Sequence, residues 1–220
     1  MARMARVVVP NYPHHVTQRG NRRQKTFFCD ADYKYYLELM SVSSKKAGTE
    51  IWAYCLMPNH VHLVMLPGEE DGLRAALGEA HRRYTGYINC RESWRGHLWQ
   101  ERFHSFVMDE EYLLATVRYV ERNPVAARLC DKPEQWRWSS AQAHIEGKDD
   151  GLVRVQPMLG RIDDWQSYLA DSNEPTVDDR LIQQHARTGR PLGAKTFISD
   201  LELLTGKRLA PRKPGPAPRR

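Results

Sequence analysis

The sequence has no apolar run approaching the ~20 residues of a membrane-spanning helix, and no membrane partner is expected. Its four cysteines, Cys29, Cys55, Cys90 and Cys130, lie far apart with no Cys-x-x-Cys pair. Neither a zinc knuckle nor a disulfide framework is indicated. Arg3 and Arg6 are followed only by Val7-Val8-Val9 before Pro10, an apolar stretch too short for a signal peptide. These absences lead to the expectation of a reduced, cytoplasmic protein. A Gly-x-x-x-x-Gly-Lys-Ser/Thr phosphate loop is missing, and so is a dense carboxylate set of the two-metal nuclease kind.

What is present is a chain of 220 residues, 41% hydrophobic, long enough for one ordinary domain with an appendage. Lys and Arg number 33 against 27 Asp and Glu, a formal net charge of +6. The positive charges gather at Arg19, Arg22, Arg23 and Lys25, at Arg82-Arg83, and at Arg212, Lys213, Arg219 and Arg220. Acidic residues concentrate elsewhere, as in Asp109-Glu110-Glu111 and Asp178-Asp179. Such segregation favours a polyanionic partner over an evenly solvated surface.

Residues 14–19 alternate as a first strand and run into a basic loop, Gly20-Asn21-Arg22-Arg23-Gln24, suited to phosphates or simply to solvent. Asp30 and Asp32 open a helix carrying Tyr33, Tyr36, Leu37 and Met40 at helical spacing, closed by Lys45-Lys46 and Gly48. Residues 51–57 and 60–66 read as a hairpin around Pro58-Asn59. A second helix starts near Leu73, a fourth strand spans 102–108, and a third helix starts after Asp109 and stops near Asn123, because Pro124 follows. The order is that of the ferredoxin-like split β-α-β-β-α-β motif, an α+β fold with a four-stranded antiparallel sheet. Two helices would cover one face and leave the other open. Trp136-Arg-Trp-Ser-Ser140 reads as a segment packing back on the core. Thr176–Asp179 resembles a capping box before a helix to about Arg187, and a second helix carries Phe197, Leu201 and Leu204. That pair reads either as a plain helical hairpin or as a DNA-contacting appendage. The expected division is a catalytic unit over 1–145, a helical extension over 146–210 and a flexible basic tail over 211–220.

Within Leu56-Met57-Pro58-Asn59-His60-Val61-His62-Leu63 two histidines sit one residue apart. Strand alternation puts His60 and His62 on one face and Val61 and Leu63 on the other. Such a pair is half of a metal site or a pair of packed imidazoles. On the third helix, Tyr119 and Asn123 are four residues apart and share a face. A tyrosine nucleophile opposite two imidazoles and an amide ligand suits attack on a phosphodiester, with a divalent cation held by His60, His62 and Asn123 to neutralise the phosphate. Two imidazoles make Mn²⁺ an alternative to Mg²⁺. Tyr112 lies seven residues before Tyr119 and reads as a packing residue in the first turn.

Three stretches, Gln18-Arg-Gly-Asn-Arg-Arg23, Met57-Pro-Asn-His-Val-His62 and Arg118-Tyr-Val-Glu-Arg-Asn-Pro-Val125, resemble the single-tyrosine HUH transposases of single-stranded DNA, in particular the REP-associated tyrosine transposases. The resemblance extends through Trp136–Ser140. It implies a ferredoxin-like domain that nicks and rejoins single-stranded or hairpin DNA at repetitive extragenic palindromes. Tyr119 would form a 5′-phosphotyrosine, with His60, His62 and Asn123 as metal ligands. Arg19, Gly20, Asn21, Arg22 and Arg23 match the early DNA-contacting loop, and Arg102 and His104 match a strand beside the site. The palindrome-associated branch implies a monomer, whereas related transposases work as dimers. The competing reading is a non-catalytic domain whose open sheet binds single-stranded nucleic acid.

Overall fold

The computed structural model describes residues 6–170 and 179–210. Strand β1 (His14–Arg19) leads through a basic loop to α1 (Asp30–Lys46), β2 (Thr49–Met57) and β3 (His60–Pro67). Helix α2 (Gly72–Glu92), strand β4 (His104–Val107) and helix α3 (Glu110–Ala126) follow. The strands lie in the order β2-β3-β1-β4, and every neighbouring pair is antiparallel. This is the split β-α-β-β-α-β arrangement. Five short helices complete the described chain: α4 (Ala141–Glu146), α5 (Gln156–Leu159), α6 (Trp165–Ala170), α7 (Asp179–Thr188) and α8 (Lys195–Thr205).

Local chemistry sets the helix ends. The Asp32 carboxylate accepts from the backbone N–H groups of Phe28 at 2.8 Å and Cys29 at 3.2 Å, tying the chain that enters α1. At α3 the Asp109 carboxylate accepts from the Tyr112 N–H at 3.1 Å, and Glu110 and Glu111 complement the positive end of the helix dipole. Helix α3 does not stop at Asn123 but runs through Pro124 to Ala126. Pro124 sits in the last turn, so it removes a single helical N–H, and its ring is buried. The Ala127 N–H still reaches the Asn123 carbonyl at 2.9 Å. Strand β4 is shorter than 102–108, and Arg102 lies ahead of it.

One face of the sheet packs Val16, Val61, Leu63 and Met65 against Tyr36 and Met40 of α1 and Leu73, Leu77 and Tyr84 of α2. The other face is not open as expected. Val64, Phe106, Cys55 and Met57 pack there against Leu113, Val117 and Val120 of α3, with Trp165 and Leu169 of α6 and Ile182 of α7. Val64 and Phe106 supply the reason: the strands are apolar on both faces over part of their length, and each apolar face must be covered. Among the described residues, the polar end of β1, β3 and β4 is left as a cleft.

Trp136–Ser140 does pack back on the core. The Leu56 N–H donates to the Trp138 carbonyl at 2.8 Å and the Ser140 N–H to that of Tyr54 at 3.0 Å, so the segment covers the outer edge of β2. The Trp138 ring stacks on Tyr33 at 4.6 Å. Helices α7 and α8 do not stand apart as a free hairpin: α7 buries Ile182 on the second face, and α8 buries Leu201 with Val7, Val9 and Val107. The expected capping box begins at Thr176, outside the described residues, and the basic tail 211–220 lies outside them as well. Among the described residues no helix is long and apolar enough to cross a membrane.

Candidate active site

Sheet register assembles the site. On β3 His60 stands opposite Arg19 of β1, His62 opposite Thr17 and Val64 opposite His15. On β4 His104 stands opposite Thr17 and Phe106 opposite His15. Directly paired residues point to the same face, so His60, His62, His15, Arg19 and His104 share the face that α3 crosses. From α3, Tyr119 and Asn123 complete a cleft of about 690 Å³, which Arg23 also lines. The rings of Tyr119 and His62 lie 5.6 Å apart, nearly perpendicular, and those of His60 and His62 4.9 Å apart.

The turn that presents the histidines is held from below. The Gly20 N–H donates to the Asn59 carbonyl at 2.8 Å, and the Thr26 N–H to that of Pro58 at 2.9 Å. A Cβ on Gly20 would come within 2.4 Å of the Gln24 carbonyl oxygen and 2.7 Å of a Thr26 methyl, so the loop closes only around glycine. Arg22 and Arg23 follow with φ of 52° and 61°, two consecutive left-handed residues that hold the basic loop in a strained shape.

Burial makes the histidines neutral. The His60 pKa is lowered to about 4 by desolvation and by the Arg19 charge. His62 is pushed well below the usual range by desolvation, with His60, His15 and Arg19 adding to it. Neutral imidazoles are what a cation requires of its ligands. Burial raises the Tyr119 pKa, and hydrogen bonds from the side chains of Asn123 and Gln183 act in the opposite direction. The Asn123 amide nitrogen also donates to the Tyr119 carbonyl at 3.0 Å, which identifies Oδ1 as the end of the amide left to accept. Among the described residues no group of three His, Cys, Asp or Glu is arranged to hold a metal.

A family profile described as "Transposase IS200 like" matches residues 8–123, more than half of the chain. The chain belongs to the IS200-like transposase family. A Haemophilus influenzae protein that carries the name REP-associated tyrosine transposase is 24% identical over 110 residues, 45% of this chain and 62% of that one. A 65-residue stretch is 28% identical to the REPTOR-binding partner of Drosophila melanogaster, covering 30% of this chain and 55% of the other. The chain thus spans about three fifths or less of the length of the curated relatives it matches. A solved REP-associated tyrosine transposase bound to a REP hairpin superimposes with a TM-score of 0.58 at 20% identity, covering 70% of this chain and 89% of that one. That match shows a common fold.

Within this IS200-like transposase the expected site residues fall into three groups. His60, His62, Asn123, Tyr119, Arg19, Arg23 and His104 meet in the cleft. Asn21 and Arg102 instead line a neighbouring hollow of about 530 Å³ with His97 and Trp99. Gly20 is a buried packing residue and Arg22 is exposed on the loop. Tyr112 packs against the apolar residues between α3 and the sheet, as expected. Several residues that line the cleft are not foreseen as site residues from the sequence, among them His15, Gln183 and Arg187. Alternation along β1 could have shown that His15 shares a face with Thr17 and Arg19. No local signal announces Gln183 and Arg187, which α7 brings in from sixty residues beyond the tyrosine helix.

Proposed function

We propose that the chain is a divalent-metal-dependent transposase that nicks and rejoins single-stranded DNA at palindromic hairpins through a 5′-phosphotyrosine on Tyr119. The observation that carries this reading is the convergence of Tyr119 and Asn123 from α3 with His60 and His62 from β3 in one basic-rimmed cleft. The Tyr119 hydroxyl oxygen attacks the scissile phosphorus, the bond to the 3′ oxygen breaks, and that oxygen leaves with a proton. The phosphodiester energy is kept in the tyrosine link. Attack by a 3′-hydroxyl then rejoins the strand without a nucleotide cofactor.

His60, His62 and the Asn123 amide oxygen would hold the cation, Mg²⁺ or Mn²⁺; neutral imidazoles and an amide oxygen left to accept fit that group. The cation would supply charge neutralisation and orientation of the phosphate. Arg19, Arg23 and His104 would receive the strand at the cleft, and Asn21, Arg22 and Arg102 the flanking DNA. The REP hairpin seen with the solved relative is the substrate class we extend to this chain, acting as a monomer in the cytoplasm. We retain residues 1–145 as the catalytic unit and 146–210 as its extension, with α7 closing one side of the cleft.

The test is a covalent adduct. A palindromic single-stranded oligonucleotide with Mn²⁺ should give a denaturation-resistant band that vanishes in Tyr119→Phe. A band that persists in the variant would remove the tyrosine from its role. Tight binding with no adduct in the wild type would favour the non-catalytic binder.

A further inference from the structure

A neutral histidine offers a lone pair at Nε2 only when its one ring proton resides on Nδ1. On His60 a neighbour fixes that choice. Its Nδ1 lies 2.6 Å from Asn59 Oδ1, an oxygen that can only accept. The Asn59 amide cannot be turned round, because its nitrogen donates to the Arg23 carbonyl at 3.0 Å and a reversed amide would set oxygen against oxygen.

On His62 the corresponding partner is His15. His62 Nδ1 lies 3.1 Å from His15 Nε2, and the two rings are nearly parallel at 5.3 Å. His15 is 1% exposed, and its Nδ1 has no hydrogen-bond partner among the described residues. The planes of the Phe106 and Tyr119 rings stand steeply across that of the imidazole, with centroids at 5.2 and 6.0 Å. An N–H can point at aromatic surface, whereas a bare lone pair there meets no donor. With the proton of His15 on Nδ1, its Nε2 accepts from the Nδ1–H of His62.

From these contacts we infer that Asn59 and His15 are positioning residues that lock His60 and His62 in one tautomer, with both Nε2 lone pairs available to a single cation. The inference rests on the metal reading above. It gives the Pro58-Asn59 turn a second task besides reversing the chain, and it gives the buried His15 a function. Partners of this kind orient metal-bound histidines and change metal affinity by roughly 10–100-fold.

Long-range ¹H–¹⁵N NMR on the metal-free wild-type protein reads the tautomers directly. Nδ1–H is expected on His15, His60 and His62, and an Nε2–H form of His60 or His62 overturns the lock. Mn²⁺ affinity, followed by electron paramagnetic resonance, provides the second arm. His15→Phe and Asn59→Leu should each weaken Mn²⁺ binding roughly 10–100-fold, while His15→Gln, which keeps an acceptor, should stay within a few-fold of wild type. Equal weakening in His15→Phe and His15→Gln overturns the inference, as does a spin-echo count of three coordinated imidazoles, which would make His15 a ligand. If His15→Phe does not fold, the wild-type tautomers and His15→Gln still decide. Expected tautomers in a protein that binds no Mn²⁺ would support the lock and refute the metal reading; bound Mn²⁺ with an Nε2–H His62 in the metal-free protein would do the reverse.

Discussion

Glu121 lies between Tyr119 and Asn123 in sequence but points away from the cleft, fully buried under α4 and α6. One carboxylate oxygen accepts from the Ser140 hydroxyl and lies 2.6 Å from His144 Nδ1; the other accepts from Trp165 Nε1 at 2.9 Å. Three elements are thereby anchored to the helix that carries the tyrosine. Glu121→Gln keeps the shape but replaces one acceptor oxygen with an NH₂ group. Either the Trp165 N–H or the Ser140–His144 pair then faces a donor. Stranding a buried donor costs about 1–3 kcal/mol, so the expected loss lies in that range. Glu121→Ala strands Trp165 Nε1 and His144 Nδ1, while the Ser140 hydroxyl keeps the Tyr54 carbonyl at 3.3 Å, and about 3–5 kcal/mol is expected. Urea unfolding followed by tryptophan fluorescence measures both, with Trp165 as a reporter inside the network. Against a typical total of about 5–15 kcal/mol, the Ala variant should approach unfolding near room temperature. A Glu121→Gln loss below about 0.5 kcal/mol, the scale of surface substitutions, would refute the claim that this carboxylate anchors α3.

Acid should unfold the protein through its buried histidines. His14, whose pKa is lowered to about 4 mainly by burial, bridges the Tyr12 carbonyl and the Val9 N–H; His81, lowered to about 3 by burial, contacts the Tyr36 hydroxyl. The unfolded chain protonates these groups near 6.5 while the folded chain does not, so stability is complete above that pH and declines below it. Each contributes a slope of up to about 1.4 kcal/mol per pH unit until its folded pKa is reached. Thermal unfolding between pH 7 and 4 checks this, and a slope unchanged in His81→Gln would count against it. Gly20→Ala should cost about 1–3 kcal/mol, since its Cβ would overlap the Gln24 carbonyl; an unchanged melting temperature would show that the loop yields. Gln183→Leu removes a hydrogen bond to Tyr119 and should slow adduct formation by up to roughly tenfold at unchanged DNA affinity; equal rates would leave α7 without a part in the chemistry. Arg19→Gln should lower DNA affinity and reduce the slope of log affinity against log salt by about 1, whereas an unchanged slope would place Arg19 off the phosphate path.

Much of this arrangement was legible one residue at a time. The alternation of 60–66, the helical spacing in 30–46 and the cap at Asp109 are local signals, because strand and helix periodicity and capping involve only near neighbours along the chain. They establish the element order, the split β-α-β-β-α-β topology, and the pairing of His60 with His62 and of Tyr119 with Asn123. Local rules misled where burial opposed them. Pro124 reads locally as a stop, yet the packing of α3 carries the helix past it. The element order suggests an open second sheet face, although Val64 and Phe106 on it need cover. What only the tertiary structure decided is which distant groups meet the two histidines: His15 across the β1–β3 register, and Gln183 and Arg187 from α7. Register and helix docking are set by whole faces packing together, so no short stretch of sequence contains them.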